Sequence, residues 1–196
     1  MRMLVSAAAA LVIAGSAALA QQKAPAETTA FARKVAGANA FEIQSSQLAQ
    51  DRAQSGEVKS FAKQMITDHT KIGEDFKSLV QSANIPLPPG RLDAKQKAAL
   101  MKLKKAKGPA FDRAYVSAQL AGHKQAVALV GKYAKTGRTP EFKDLAQKTL
   151  PTLEQHLSEI TELSNRAVAA GKAPSGTGSR AIGPPAEPQM RNKKQR

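Results

Sequence analysis

Three histidines, His69, His123 and His156, are all that the 196-residue chain contains, and it has no cysteine. Each falls within its own apolar helical repeat, and a fourth repeat carries the acid Glu42. Three imidazoles and one carboxylate form a donor set for a single transition metal ion, Zn, Cu, Fe or Mn. The lack of cysteine excludes thiolate ligands, disulfides and a cysteine nucleophile. The same four residues also admit a plainer reading, a hydrogen-bonded polar layer. There Glu42 accepts from a protonated histidine, and Gln119, Ser45 and a tyrosine complete the network.

Either reading requires helices that bring these residues to one level. Val58, Ala62, Met65, His69, Ile72, Phe76 and Leu79 follow steps of four and three, which keep them on one buried face. Phe31, Val35, Ala38, Glu42, Ser45 and Ala49 do the same. So do Val116, Gln119, His123, Ala126, Val130 and Tyr133, and the run from Phe142 through Leu153 and His156 to Leu163. Proline and glycine cluster at 85–90, 108–109 and 137–140. The spacing therefore predicts helices over about 28–54, 57–82, 109–135 and 140–169, with a shorter one near 93–106. Asp93 with Gln96 is a capping-box pattern, Thr139-Pro140-Glu141 a helix start, and Pro151 a kink in the last helix. Short links join the first two and the last two long helices, whereas about 26 residues separate the pairs. The fold class expected is all-α: a ferritin-like four-helix bundle of two antiparallel hairpins and one long crossover. Each of Glu42, His69, His123 and His156 stands within about two residues of its helix midpoint, roughly 3 Å of rise, so all four should share one layer.

The flanks carry other signals. Met1-Arg2, the apolar run Leu4–Ile13 and Ala18-Leu19-Ala20 read as a secretory signal peptide over residues 1–20. It is too short for a membrane span and places the chain in the periplasm or outside the cell. Residues 21–170 are expected to form the bundle domain and 171–196 a disordered basic tail. Lys172–Arg196 holds six basic residues and one acid among Gly, Pro and Ser. The whole chain carries 30 Lys+Arg against 15 Asp+Glu. Export argues against nucleic acid as the counterpart of this charge and favours an anionic envelope surface or polymer, met by the tail and the crossover helix. Arg91–Lys107 supplies seven more cations against Asp93. No phosphate loop, serine elbow or paired-acid motif is present.

Phe41-Glu42-Ile43, Ser46, Leu48-Ala49, Phe61-Ala62, Met65-Ile66 and Asp68-His69 resemble the exported bacterial family called domain of unknown function 4142. Gly108, Phe111-Asp112-Arg113, Tyr115, His123, Leu150-Pro151 and His156-Leu157 extend the resemblance across about residues 31–166. It implies a ferritin-like bundle and export; the family's members are often labelled outer-membrane proteins, and no activity is established for it. Ferritin-like di-iron proteins place a Glu three residues before each of two histidines. Here Ile66, Leu120 and Leu153 occupy those places. One metal ion, held without catalysis, is the expected role; an envelope interaction protein with a structural polar layer is the alternative.

Overall fold

The computed structural model describes residues 24–87 and 91–172, so the expected signal peptide lies outside the described residues, as does the expected basic tail beyond 172; residues 171 and 172 belong to the last helix. Five helices are present: α1 Ala26–Arg52, α2 Gly56–Ser82, α3 Ala94–Lys105, α4 Pro109–Thr136 and α5 Pro140–Lys172. No strand occurs among the described residues. Local chemistry explains the starts. The Ser55 hydroxyl accepts from the Val58 amide at the head of α2, and Asp93 and Gln96 close the expected capping box on α3. Gly108 enters α4 at φ 54°, a conformation glycine adopts without a Cβ clash, and Pro109 takes the first turn. Thr139 precedes α5, where its hydroxyl bonds Thr28 at 2.6 Å. Helix α5 runs unbroken through Pro151; the carbonyl that Pro151 leaves without a donor belongs to Gln147, an exposed position where water can serve it.

Cross-links between helices fix the topology. Thr28 bonds the Tyr133 hydroxyl at 2.8 Å, Ser46 bonds the Tyr115 hydroxyl at 2.9 Å, and Asp112 accepts from the amides of Gln54 and Ser55. Rising numbers on α1 thus meet falling numbers on α4, and the two are antiparallel. Pairs Glu57–Arg166, Asp68–His156 and Asp75–Lys148 show the same for α2 and α5. On α3, Gln96 lies beside Gly37 whereas the carbonyl of Lys104 accepts from Arg52. Helix α3 therefore climbs parallel to α1 and carries the chain the length of the bundle before α4 descends. That is the crossover expected of two hairpins, α1–α2 and α4–α5.

The apolar core is split. One cluster joins Val58, Phe61, Met65, Phe111, Tyr115, Val116 and Ile160. The other joins Phe31, Phe76, Val80, Tyr133, Phe142 and Leu153 at the opposite end. Between Met65 and Phe76, and between Leu153 and Ile160, lies the level of the histidines. Leu92 and Leu100 seat the crossover against Phe41, and Leu103 joins the first cluster.

Candidate metal centre

His69 from α2, His123 from α4 and His156 from α5 converge between the two clusters, 4 %, 1 % and 0 % exposed. Their ring centroids are 5.7 Å apart for His69–His123 and 5.5 Å for each of the other pairs. Phe61 packs edge-on against His123 at 6.2 Å and closes the side toward the first cluster.

Each ring spends one nitrogen on a fixed acceptor. His123 Nδ1 donates to the Gln119 carbonyl at 3.0 Å, and His156 Nε2 donates to Asp68 Oδ2 at 2.9 Å. A carbonyl and a carboxylate can only accept, so these nitrogens carry the protons. His69 Nδ1 donates to Asn39 Oδ1 at 2.9 Å. The remaining nitrogens, His69 Nε2, His123 Nε2 and His156 Nδ1, are left with lone pairs, and all three are buried without a hydrogen-bond partner. One ligand atom from each ring lies within 4.8 Å of the others. Bonds of about 2.0–2.1 Å to a common ion would set the nitrogens about 3.3 Å apart, so closing the trio takes shifts on the order of 1 Å.

Electrostatics keep two of the rings, His69 and His123, neutral near pH 7. Burial holds His69 well below its ordinary range, and His123 and His156 push it the same way. Burial also lowers His123 to about 4, against a smaller opposing effect of the Gln119 carbonyl. Neutral imidazoles are the ligand form, and a carboxylate or carbonyl behind a ring is the usual device for orienting it.

Glu42 stands apart. It is buried at 4 % exposure on α1, at the level of Gly122, but it is not one of the mutually close ligand residues. Its Oε1 reaches within 2.7 Å of where a Cβ on Gly122 would stand, and its Oε2 has no partner. Burial pushes its carboxyl up to about 8, only partly offset by the Gln119 amide, so the group is a neutral acid near pH 7. The expected four-residue layer is thus a trio, and no Glu42–histidine hydrogen bond forms. Helix α1 touches both α2 and α4, and residues three apart differ by about 60° around a helix. Asn39 faces α2 and meets His69, which turns Glu42 into the seam with α4.

The other expected participants have structural posts. Gln119 Nε2 donates to Ser45 Oγ at 2.9 Å, and the tyrosine hydroxyl bonds Ser46 rather than Ser45. Asn39 was absent from the sequence reading, and Asp68 entered it only beside His69 in the family resemblance, with no link to His156. The available signal was the need of every buried imidazole N–H for an acceptor on a facing helix. Gly73 leaves room for that placement, since a Cβ there would stand 2.7 Å from Asn39 Nδ2.

The family described as domain of unknown function (DUF4142) matches residues 14–163. The chain belongs to the DUF4142 family. No curated protein matches it. In fold, this DUF4142 protein is similar to a DUF305 fragment from Deinococcus radiodurans, at TM-score 0.64 and 16 % identity, covering 74 % of this chain and 99 % of that one. It is also similar to a candidate secreted DUF305 protein from Streptomyces coelicolor, at TM-score 0.61 and 15 % identity, covering 72 % and 93 %. Such low identity carries the helical-bundle fold and nothing about the histidines.

Proposed function

We propose that this DUF4142 protein is exported and holds one transition metal ion, Zn, Cu, Fe or Mn, without catalysing a reaction. His69 Nε2, His123 Nε2 and His156 Nδ1 would be its ligands. The observation that carries this reading is the set of three desolvated ring nitrogens with no hydrogen-bond partner. Leaving a buried polar group unpaired costs about 1–3 kcal/mol, and three such costs are large beside a net stability of about 5–15 kcal/mol. An ion repays them together. Three neutral nitrogens leave a fourth position for water, the arrangement common to three-histidine zinc sites. The leader-like residues 1–20 support export, and among the described residues no helix is long and apolar enough to cross a membrane.

Elemental analysis of protein purified without chelators or a histidine tag tests the proposal. About one equivalent of metal, and a raised melting temperature with one of Zn²⁺, Cu²⁺, Fe²⁺ or Mn²⁺, are expected; His123→Ala should abolish both. Absence of metal and of any shift in the parent protein would leave only a structural polar layer.

A second reading has its own support. The exposed cations of α3 and its flanks, such as Lys97, Lys104 and Lys105, form no ion pair among the described residues. Met101 is 57 % exposed on the same helix. A cationic face with one apolar side chain fits docking on an anionic envelope surface.

A further inference from the structure

A groove of about 1120 Å³ runs between α1 and α4 beneath the crossover. Its floor is made of small residues, among them Ala38, Ala118 and Ala121. Its rim is basic: Arg33, Lys34, Arg91 and Lys95 are all exposed, and none is ion-paired among the described residues. The Arg91 carbonyl lies 3.0 Å from where a Cβ on Gly37 would stand, one helical turn along from Arg33, so both arginines flank the same end. Glu42 lines the groove from within, nearly fully buried and with Oε2 unpartnered. Nine residues separate Arg33 from Glu42, about 13.5 Å of helix.

The groove thus has a cationic mouth, a floor of small apolar residues and, inside, a buried carboxyl with one unpartnered oxygen. We propose that it binds a single-chain fatty carboxylate that bears a hydrogen-bonding group at its far end. The head would lie between Arg33 and Arg91, the chain over the alanine floor, and the far group against Glu42. Asp93 on the same rim trims the positive charge, which favours a monoanion over a phosphate dianion. Guanidinium groups match a carboxylate with paired N–H donors, and a concave site with an apolar floor and placed polar groups fixes the orientation of a small ligand. The site is separate from the histidine trio and does not depend on metal.

Calorimetric titration of the full chain below the micelle concentration tests this, with 12-hydroxydodecanoate as probe. Dodecanoate should bind more weakly, and dodecyltrimethylammonium should not bind. Arg33→Ala with Arg91→Ala should weaken the probe by about tenfold or more, the loss of one or two charge-assisted hydrogen bonds. Glu42→Leu should erase the preference for the hydroxylated chain. Ala121→Leu, at an exposed position that tolerates bulk, should block binding with helix content unchanged. Equal binding of the ammonium amphiphile, or full affinity in the Ala121 and arginine variants, would overturn the proposal. So would a dimer that the probe fails to dissociate, because a second copy would then fill the groove.

Discussion

At the scale of single residues, the centre is governed by what lies behind each imidazole. Asp68 is about one-third exposed at its side chain yet fixes the fully buried His156. Asp68→Ala should lower metal affinity by about 10–100-fold in competition titrations, with Asp68→Asn intermediate because its amide oxygen still accepts. Circular dichroism should show unchanged helix. Glu42 makes the opposite kind of contribution. Its carboxyl is raised from 4.5 to about 8, so between those values the folded chain holds a proton that the unfolded chain has released. Stability therefore falls as pH rises from about 4.5 to 8. Glu42→Gln removes that slope: denaturation midpoints should nearly coincide at pH 4.5, and the variant should be more stable at pH 8 by on the order of 4 kcal/mol.

At the scale of elements, the two hairpins are locked by side chains at the bundle ends. Asp112 opens α4 and receives the amides of Gln54 and Ser55 from the α1–α2 link, at 3.1 and 2.8 Å. An acid in a first turn is ordinarily read as compensation of the helix dipole; here it also ties one hairpin to the other. Asp112→Ala should cost about 1–2 kcal/mol and lower the melting temperature by a few degrees, measured by thermal denaturation. The loss would originate at the α1–α2 link, so hydrogen exchange should quicken first at Gln54 and Ser55. At the other end, Phe31 stacks on Tyr133 with centroids 3.8 Å apart, and Thr28 bonds both Tyr133 and Thr139. The mid-bundle polar layer is thus held between two pinned ends, which keep the histidine-bearing helices α2, α4 and α5 in register.

At the scale of the whole molecule, charge dominates. The chain carries a formal +15, and α3 presents its share to solvent along one side of the bundle. If the second reading holds, phosphatidylglycerol vesicles should bind the protein at low salt and release it near 1 M, where the screening length is about 3 Å. Replacing Lys97, Lys104 and Lys105 by Glu should reduce that binding, as should truncation before Lys172. Binding to neutral vesicles at the same level would remove the electrostatic basis. The metal and vesicle experiments report on opposite parts of the bundle, its centre and its surface, so one result does not prejudge the other.

Helix periods, capping signals and link lengths were enough to place all five helices within about three residues, because each depends on neighbours in the chain. They also placed His69, His123 and His156 at one level, since antiparallel helices of similar length align their middles. Which way Glu42 turns was beyond them. Its position on the stripe allowed either seam of α1, and only the packing of α1 between α2 and α4 chose the side beside Gly122. The roles of Asn39 and Asp68 were hidden for the same reason: their partners lie 30 and 88 residues away, and that pairing exists only once the helices are packed. Periodicity sets the level a residue occupies, whereas the rotation of each helix against its neighbours sets what that residue touches.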